Sequence, residues 1–316
     1  MIWSDLHKLI SNNTSFLLSA HTSPDGDSIG CQLAVRWYLL SLGKKVHIYD
    51  VDGLPNRFAF LQDSASVTAE KPTETFDVLA VIDSSNLDRL GWDDPASSAK
   101  CILNIDHHRD NKQFGLINVV QPSAATGEVL YRFFDENKID FPKHVAEYLY
   151  AAMLTDTGGF RFSNTNGGIL HMCGDLADRG VSCAAMYEKL YATYTPQGMM
   201  LMSRIWSSLR YYLDGKVCVT EMPMTLVEEL GATYGDSEGA ADLTTMVSGI
   251  QVGLMIKHSR DLTHFSLRSR DIVDVGELAK IIPGGGGHSN AAGCTIHEPI
   301  ETALPKMLDM IKNVLA

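Results

Sequence analysis

A histidine and two aspartates stand close together directly after the first apolar run of the chain. His21, Asp25 and Asp27 lie in the segment HTSPDGDSIG, which follows the residues SFLLSA. Carboxylates crowded in this way disfavour one another's charge unless water or a cation lies between them. The spacing therefore leaves two alternatives, a solvated loop or a loop that holds cations.

The same residue types recur after two further apolar runs and at the end of a helical segment. In an open α/β sheet, functional groups collect beyond the carboxyl ends of the strands. One aspartate after a strand is usually a helix cap or a turn former, but four separate segments would make this explanation a repeated coincidence. The additional residues are Asp83 in VLAVID, Asp106, His107 and His108 in ILNIDHH, and Asp156 in MLTDTGGFRFSNT.

Mixed imidazole and carboxylate donors indicate a transition metal, because Mg²⁺ and Ca²⁺ prefer oxygen ligands alone. The donors exceed the needs of one ion. Two divalent ions ~3.5–4 Å apart can hold a phosphate oxygen and activate a water molecule. We therefore expect two divalent metal ions, with Mn²⁺ as the first candidate and cobalt, iron and zinc left open.

Short apolar strands alternate with helices through the first half of the chain. Near-continuous apolar runs bounded by helices are typical of a buried parallel sheet. We predict an α/β fold whose N-terminal domain has a mostly parallel sheet. The predicted strands are 15–20, 45–50, 76–85 and 99–108, and the predicted helices are 29–43, 125–137, 144–158 and 167–180.

The pattern changes after a helix predicted over 196–212. The dipeptide Asp214-Gly215 lies between β-rich runs and predicts a hairpin, and 253–270 indicates two strands around a turn. A smaller α/β domain is therefore expected at the C-terminal end, joined to the first by a helical connector. The predicted boundaries are 1–190 for the catalytic domain, 191–212 for the connector and 213–316 for the second domain.

Composition narrows the class of protein. The 316 residues are 45% hydrophobic and 20% charged, with a net charge of −12, which fits a soluble globular protein without a broad basic groove for long nucleic acid. No apolar run is long enough for a membrane span, and the N-terminus lacks the pattern of a signal peptide, so a cytoplasmic location is expected. The six cysteines form no CxxC pair, which disfavours a disulfide framework or a cysteine-ligated zinc site.

Taken together, these segments resemble the motifs of the DHH phosphoesterase family. HTSPDGDSIG, VID, NIDHH and TDTGGFRFS are similar to its four motifs, and SLRSR with PGGGGHSNAAGC is similar to its C-terminal DHHA1 domain. The length and the C-terminal motif are most similar to the nanoRNase type. The resemblance implies hydrolysis of short oligoribonucleotides to nucleoside 5'-monophosphates, and of 3'-phosphoadenosine 5'-phosphate (pAp) to AMP and phosphate.

The resemblance also implies individual roles in the first domain. His108 would contact the scissile phosphate. Our own interpretation of Asp106 is that it orients a histidine, so that Asp83, Asp106 and His108 are the expected catalytic residues. Asp83 would bridge the two ions. The implied ligand sets are His21, Asp25 and Asp83 for one ion, and Asp27, Asp83, His107 and Asp156 for the other.

In the second domain the resemblance implies a site that binds a terminal nucleotide. A glycine-rich loop can present backbone N–H groups to a phosphate, and the planar guanidinium of an arginine matches phosphate geometry. The implied substrate-binding residues are Arg268, Ser269, Gly285, Gly286, Gly287 and His288.

Several alternatives stay open. A cyclic di-AMP or pApA phosphodiesterase would use the same metal centre, and an inorganic pyrophosphatase would share the first four motifs. An exonuclease for long single-stranded DNA would need a basic channel, and a nucleotide-binding module without activity would not need two metals. The expected partners are short single-stranded RNA or DNA oligonucleotides, pAp and related nucleotides, without a membrane. The polarity of digestion and the choice between monomer and homodimer stay open.

Overall fold

The apolar runs of the N-terminal half form one sheet of parallel strands in the computed structural model, which describes residues 2–192, 194–237, 239–270, 273–287 and 289–315. The chain divides into two compact units, Met1–Thr193 and Tyr194–Ala316. The predicted α/β class is confirmed, since each unit has its own sheet flanked by helices. Among the described helices, none combines the length and the apolarity that crossing a membrane requires.

The elements of the first unit follow one another in an alternating order. Its sheet has the strand order β3-β2-β1-β4-β5-β6, and every pairing between neighbours is parallel. The elements are α1 (Ile2–Asn12), β1 (Ser15–Ser19), α2 (Gly26–Ser41), β2 (Lys45–Tyr49), β3 (Val67–Thr68), β4 (Phe76–Ile82), β5 (Ala99–Asp106), β6 (Ile117–Val120), α3 (Thr126–Glu136), α4 (Lys143–Asp156), α5 (Gly167–Asp178) and α6 (Cys183–Tyr191).

Both faces of this sheet are covered, which explains the near-continuous apolar strands. In β1, Phe16 and Leu18 point into the larger core formed with the helices. Leu17, between them, points into a smaller core on the opposite face, together with Leu79 and Val81 of β4. Because side chains alternate along a strand, only an uninterrupted apolar run can fill both cores.

The order of the strands places a topological switch point between β1 and β4. From β1 the chain continues to β2 and β3 on one side, and from β4 it continues to β5 and β6 on the other. The loops that follow β1 and β4 therefore diverge and leave a crevice beyond the carboxyl edge of the sheet, the usual position of a site in this class of fold.

Small residues let α2 and α3 pack closely on α4 at this edge. A Cβ added to Gly30 would lie 2.4 Å from the backbone oxygen of Tyr148, and one added to Gly127 would lie 2.7 Å from Cβ of Ala152. Real Cβ atoms do not approach other atoms so closely. The two glycines therefore set the spacing of the helices that begin or end at the carboxyl edge.

The second unit contains a mixed sheet with the order β11-β12-β10-β9-β8-β7. Helices α10 and α11 cover one face around Leu278 and Met307, and α7 to α9 cover the other around Leu201 and Leu226. Its elements are α7 (Pro196–Ser207), β7 (Arg210–Tyr212), β8 (Val217–Pro223), α8 (Met224–Leu230), α9 (Ala240–Thr244), β9 (Val252–His258), β10 (Thr263–Ser269), α10 (Val275–Lys280), β11 (Gly286–Gly287), β12 (Ala291–Ile296) and α11 (Ile300–Leu315).

The helix predicted over 196–212 is wrong in its last part. It ends at Ser207, and residues 210–212 pair as β7 with β8 in an antiparallel hairpin. The predicted hairpin itself is confirmed, with positive φ at Asp214 and Gly215 in its turn. The apolar pattern of the helix continues into the strand, so periodicity alone does not mark the boundary.

We expect Gly30→Ala to destabilise the first unit, because the new methyl group would meet the carbonyl of Tyr148, a backbone atom that cannot rotate away. Overpacking of this kind costs about 1–3 kcal/mol, which lowers the melting temperature by roughly 3–10 °C in a unit of this size.

Gly174→Ala is the matched control, because Gly174 lies within α5 and an added Cβ meets nothing within 4 Å. Alanine is the better helix former by about 0.5–1 kcal/mol, so this variant should melt at the same temperature or slightly higher. Equal melting temperatures for Gly30→Ala and the unmodified protein would contradict the packing role of Gly30.

Candidate metal centre

Three adjacent strands bring the sequence-predicted residues to one place. His21 follows β1, Asp83 follows β4, and His107 follows β5, and these strands are neighbours in the sheet. The start of α2 adds two carboxylates and the end of α4 adds a third. The described residues that can hold a metal are grouped as His21, Asp25 and Asp83; as Asp27, His107 and Asp156; and as Asp83, His107 and His108.

The first group surrounds the outer oxygen of Asp83. Nε2 of His21 lies 3.6 Å from Oδ2 of Asp83 and 4.0 Å from Oδ2 of Asp25. These separations exceed hydrogen-bond lengths. They match the spacing of roughly 3–4 Å between two donors that each lie ~2.1 Å from one ion.

The second group surrounds the other oxygen of Asp83. Nε2 of His107 lies 3.6 Å from Oδ1 of Asp83, 3.6 Å from Oδ2 of Asp156 and 3.9 Å from Oδ2 of Asp27. Asp83 thus presents one oxygen to each group, which is the geometry of a bridging carboxylate. The structure brings all six predicted ligands together, and their role as ligands stays a prediction.

Both histidines turn the same nitrogen towards the cluster. Nδ1 of His21 lies 2.7 Å from the backbone oxygen of Thr22, and Nδ1 of His107 lies 3.1 Å from that of Ser123. A carbonyl can only accept, so in each ring Nδ1 carries the proton. Nε2 is left to face the carboxylates, as in metal-binding histidines, whose second nitrogen usually donates to a carbonyl or a carboxylate.

The carboxylates at the start of α2 are fixed by helix N-termini. Asp25 is the N-cap of α2 and accepts with Oδ1 from the backbone of Asp27 and Ser28, while its Oδ2 faces His21. Asp27 is fully buried and accepts from the backbone N–H groups of Thr126 and Gly127, at the start of α3. Helix N-termini favour negative charge, so these contacts stabilise part of the acidity of the cluster.

Asp83 has a backbone conformation that few residues adopt. Its φ is +56°, in the left-handed region that asparagine and aspartate tolerate better than other non-glycine residues. Its backbone N–H donates to the carbonyl of Ile105, and Oδ1 accepts from the hydroxyl of Thr126 at 2.9 Å. The strain is held by these contacts and aims the carboxylate into the crevice, a pattern that clusters at functional sites.

The protonation of the cluster reflects a shortage of positive charge. Burial, together with the charges of Asp83 and Asp156, raises the pKa of Asp27 well above its usual range. Burial also raises the pKa of Asp156, to about 7, although the His107 charge opposes it. Burial alone would lower the pKa of His21, yet the facing carboxylate of Asp83 and the charge of Asp25 raise it to about 9, against the charge of Arg89.

These observations fit divalent cations. Without them, the buried carboxylates must be balanced by protons on themselves or on the histidines, as the raised pKa of His107 also indicates, where Asp156 and Asp83 outweigh burial. Two divalent ions would balance four carboxylates and leave the imidazoles neutral for coordination. The donor types, the tautomers and the separations therefore all fit a pair of metal ions.

Asp106 and His108 form a contact beside the cluster. Oδ1 of Asp106 lies 2.6 Å from Nδ1 of His108, while Oδ1 of Asp83 lies 3.7 Å from the same nitrogen. Oδ2 of Asp106 accepts from the side-chain amide of Asn111 at 2.5 Å. Burial alone would raise the pKa of Asp106, but the hydrogen bond and charge of His108 hold it below its usual range. Asp106 thus fixes the ring of His108 through Nδ1, while Nε2 faces Arg89.

Sequence reasoning missed the residues that hold this arrangement in place. Thr126 contacts both Asp27 and Asp83, and Asn111 contacts Asp106. Asp50, directly after β2, accepts from the backbone of Ala20 at 2.7 Å and thereby anchors the residue before His21. The only signal for Asp50 is that it ends a predicted strand, like Asp83.

One arginine also lies at the rim of the cluster. Nη1 of Arg89 is 3.3 Å from Nε2 of His108, and its backbone carbonyl accepts from the N–H of Thr22 at 2.8 Å. Gly91 follows with a φ of +75°, and Cγ2 of Thr22 fills the space where its Cβ would lie. The segment that carries Arg89 is therefore tied to the loop that carries His21.

The predicted substrate-binding residues of the second unit lie around the start of β12. Arg268 pairs with Ala291 on one side of this strand, and Gly287 pairs with Ala292 on the other. Nε of Arg268 donates to Oδ1 of Asp242 at 2.6 Å, a contact that the sequence did not predict and that leaves only part of the guanidinium for a ligand. His288 lies outside the described residues.

The glycines of this loop differ in the space that is available for a side chain. A Cβ on Gly285 would lie 2.2 Å from the backbone oxygen of Ala279, and one on Gly287 would lie 2.5 Å from the backbone of Ala291 and Ala292. Packing therefore explains Gly285 and Gly287. A Cβ on Gly286, which pairs with Gly293 of β12, meets nothing within 4 Å, so packing does not require a glycine at this position. Ser269 donates from its hydroxyl to the carbonyl of Ser289.

Comparisons with known proteins agree with the motifs. The DHH family, N-terminal domain, matches residues 15–153, and the DHHA1 domain matches residues 214–316. The bifunctional oligoribonuclease and PAP phosphatase NrnA of Thermus thermophilus is 31% identical over 304 residues, which cover 94% of this chain and 89% of that protein. A crystal structure of an exopolyphosphatase-related protein from Bacteroides fragilis has a TM-score of 0.89 and 24% identity, covering 99% of this chain and 95% of that one.

A partial relative bears on the alternatives. A protein of Streptococcus thermophilus named "Probable manganese-dependent inorganic pyrophosphatase" is 29% identical over 144 residues. The match covers 43% of this chain and 46% of that protein. The sequence match to this protein thus spans less than half of either chain.

We expect divalent cations to stabilise the folded protein. At a free concentration one hundred times the dissociation constant, binding contributes about 2.7 kcal/mol, or roughly 5–10 °C in melting temperature. Thermal melts with Mn²⁺ and with a chelator measure this shift, and circular dichroism should show that the chelated protein keeps its helices. Equal melting temperatures would contradict a metal centre.

Asp83→Asn should remove most of the Mn²⁺ shift while preserving the fold. Asparagine tolerates the positive φ and can accept from Thr126, but it lacks the charge that faces both groups. Asp135→Asn, which changes a carboxylate within α3 outside the cluster, is the control and should keep the full shift. A full shift in Asp83→Asn would exclude a bridging role.

The gain in free energy of unfolding from Asp50→Asn, relative to the unmodified protein, should be larger at pH 8 than at pH 5. Burial raises the pKa of Asp50 to about 6, above an unfolded value of ~3.9. Because the unfolded state ionises first, the native protein loses stability as pH rises through this window, by about 3 kcal/mol in total and roughly half of it by pH 5. Asparagine cannot ionise and escapes this loss. Urea unfolding at both pH values measures the difference, and a pH-independent difference would contradict it.

Proposed function

The chain belongs to the DHH phosphoesterase family, nanoRNase type, and from this premise we propose that it hydrolyses short oligoribonucleotides to nucleoside 5'-monophosphates and pAp to AMP and phosphate. The observation that carries the proposal is the placement of Asp83. Its two oxygens face two separate groups of histidine and carboxylate donors. One carboxylate shared in this way has a clear use in holding two ions against one phosphate.

We propose His21, Asp25 and Asp83 as the ligands of one ion, and Asp27, Asp83, His107 and Asp156 as those of the other. Imidazole and carboxylate donors suit Mn²⁺ better than Ca²⁺ or Mg²⁺, and the partial relative named for manganese dependence supports the same metal. When bound, the ions supply a Lewis acid for the phosphoryl oxygens and lower the pKa of water for the attack.

The protein's own residues orient the phosphate and balance its charge. Nε2 of His108 faces Arg89, because Asp106 holds Nδ1. From this position His108 can donate to an oxygen of the scissile phosphate whose negative charge grows in the transition state. Asp106 orients the ring of His108 through Nδ1, and Asn111 keeps Asp106 in place.

In the second unit, we propose that Arg268, Ser269 and the residues 285–288 bind a nucleotide phosphate. Arg268 keeps its second terminal nitrogen for a ligand while Asp242 orients the guanidinium through Nε. The space where a side chain of Gly286 would lie is open, so a phosphate can approach the backbone of this loop, and bare backbone N–H groups bind anions well. A local grip of this kind favours short substrates over long ones.

A substrate panel with Mn²⁺ tests the proposal. It contains dinucleotides of two base compositions, pApA and pGpG, together with pAp, cyclic di-AMP, pyrophosphate and a long structured RNA. We expect both dinucleotides and pAp to be hydrolysed with kcat/KM at least about tenfold above the other compounds, a margin of only ~1.4 kcal/mol in transition-state binding. Asp83→Asn should abolish every activity.

The other outcomes separate the alternatives. Hydrolysis of cyclic di-AMP and pApA without pGpG would identify a phosphodiesterase specific for adenine dinucleotides. Pyrophosphate as the best substrate would identify a pyrophosphatase. Nucleotide binding without turnover in either the unmodified protein or Asp83→Asn would identify a binding module, and each of these results would overturn the proposal.

A further inference from the structure

We propose that Arg89 binds the reacting phosphate and makes the site favour phosphomonoesters over phosphodiesters, an inference that rests on the proposed function. Nη1 of Arg89 lies 3.3 Å from Nε2 of His108, the imidazole nitrogen that Asp106 does not hold. An arginine at this place offers a second donor to any phosphate oxygen that His108 reaches.

The position of Arg89 is built into the fold. Its backbone carbonyl accepts from Thr22, and its backbone N–H donates to the side chain of Asn86. Leu90, the next residue, is fully buried in the smaller core of the first unit. The backbone of the arginine is therefore anchored beside the loop that carries His21, and its side chain is half-buried.

The charge of Arg89 is available to a ligand. Among the residues that the structure describes, no carboxylate makes an ion pair with its guanidinium, whose hydrogen bond goes to His108. By contrast, Arg132 pairs with Glu128, Arg179 with Asp175 and Arg268 with Asp242. An arginine that contacts His108 and pairs with none of the described carboxylates of the cluster is suited to an anion that arrives with the substrate.

A count of charges indicates which substrate gains most. Two divalent ions balance the carboxylates of Asp25, Asp27, Asp83 and Asp156, so the phosphate of the substrate arrives as surplus negative charge. A diester phosphate carries one charge, whereas a monoester phosphate carries nearly two at neutral pH. A planar guanidinium that donates two parallel hydrogen bonds stabilises the dianion more. Arg89 should therefore matter more for pAp than for an oligonucleotide.

Two substrates isolate this difference. Both pAp and pApA present the same 3'-phosphate on the same 5'-phosphorylated adenosine, and only the second carries a further nucleoside on that phosphate. With Mn²⁺, Arg89→Met should lower kcat/KM roughly 100-fold for pAp and roughly tenfold for pApA, the range that hydrogen bonds to charged groups cover. Arg89→Lys should recover part of the loss, since lysine keeps the charge without the fork.

Arg179→Gln is the control, because it removes the same charge from the same unit, where Arg179 contacts Asp175 and Asp140 rather than the cluster. It should change neither kcat/KM. Melting temperatures of all variants with Mn²⁺ should agree within a few degrees, which separates lost binding from lost folding. Equal losses on pAp and pApA, or no loss on either, would overturn the inference.

Binding of inorganic phosphate provides a readout that does not depend on turnover. Calorimetry of the Mn²⁺-loaded protein should show phosphate binding that weakens at least about tenfold in Arg89→Met, as expected for one charged hydrogen bond, and not in Arg179→Gln. If the unmodified protein binds phosphate through Arg89 but hydrolyses neither nucleotide, the proposed function fails and the role of Arg89 stands. If the unmodified protein hydrolyses both nucleotides and Arg89→Met binds phosphate as tightly as the unmodified protein does, only the inference fails.

Discussion

Repulsion among buried carboxylates is the constraint on which this structure depends. Asp27 and Asp83 are almost fully buried, with Asp25 and Asp156 beside them, and a protein interior tolerates such charges only when they are paired. The fold meets part of the requirement with its own groups, through the N-termini of α2 and α3 and through two imidazoles. The negative charge that these groups leave uncompensated fits cations from solution. This uncompensated charge is the property that suits the edge of the sheet to metal-dependent chemistry.

The carbonyls and amides around the cluster perform a second task, which is to fix direction. Backbone oxygens of Thr22 and Ser123 hold the two imidazoles in one tautomer, and Thr126 holds one oxygen of Asp83. None of these partners needs to touch a metal or a substrate. They convert a collection of acidic residues into donors with defined orientation, and orientation rather than composition separates a site from an acidic patch.

The convergence of the proposed ligands could be predicted from the sequence because each follows an apolar strand or ends a helix near one edge of a parallel sheet. Near-continuous apolar runs identify such strands, and the motif spacing identifies the loops after them. The supporting contacts could not be predicted, since Thr126 reaches Asp27 across 99 positions and Asp83 across 43. Arg89 was missed for the same reason, because nothing in SSNLDRLG indicates that its side chain reaches His108. In the second unit, the contact between Asp242 and Arg268 could not be predicted, because it forms only when α9 packs on the sheet.

The two oxygens of Asp25 make separate contacts, and this separation bears on how proteins of this family can evolve. One oxygen caps α2, and the other faces His21. Asparagine or serine at this position would keep the cap while deleting the charge. A single substitution at this position could therefore abolish catalysis in one lineage. The protein would keep the helix, the sheet and its similarity to active homologues. Shared architecture among such descendants records common ancestry, and only the identity of a few side chains records whether catalysis survived.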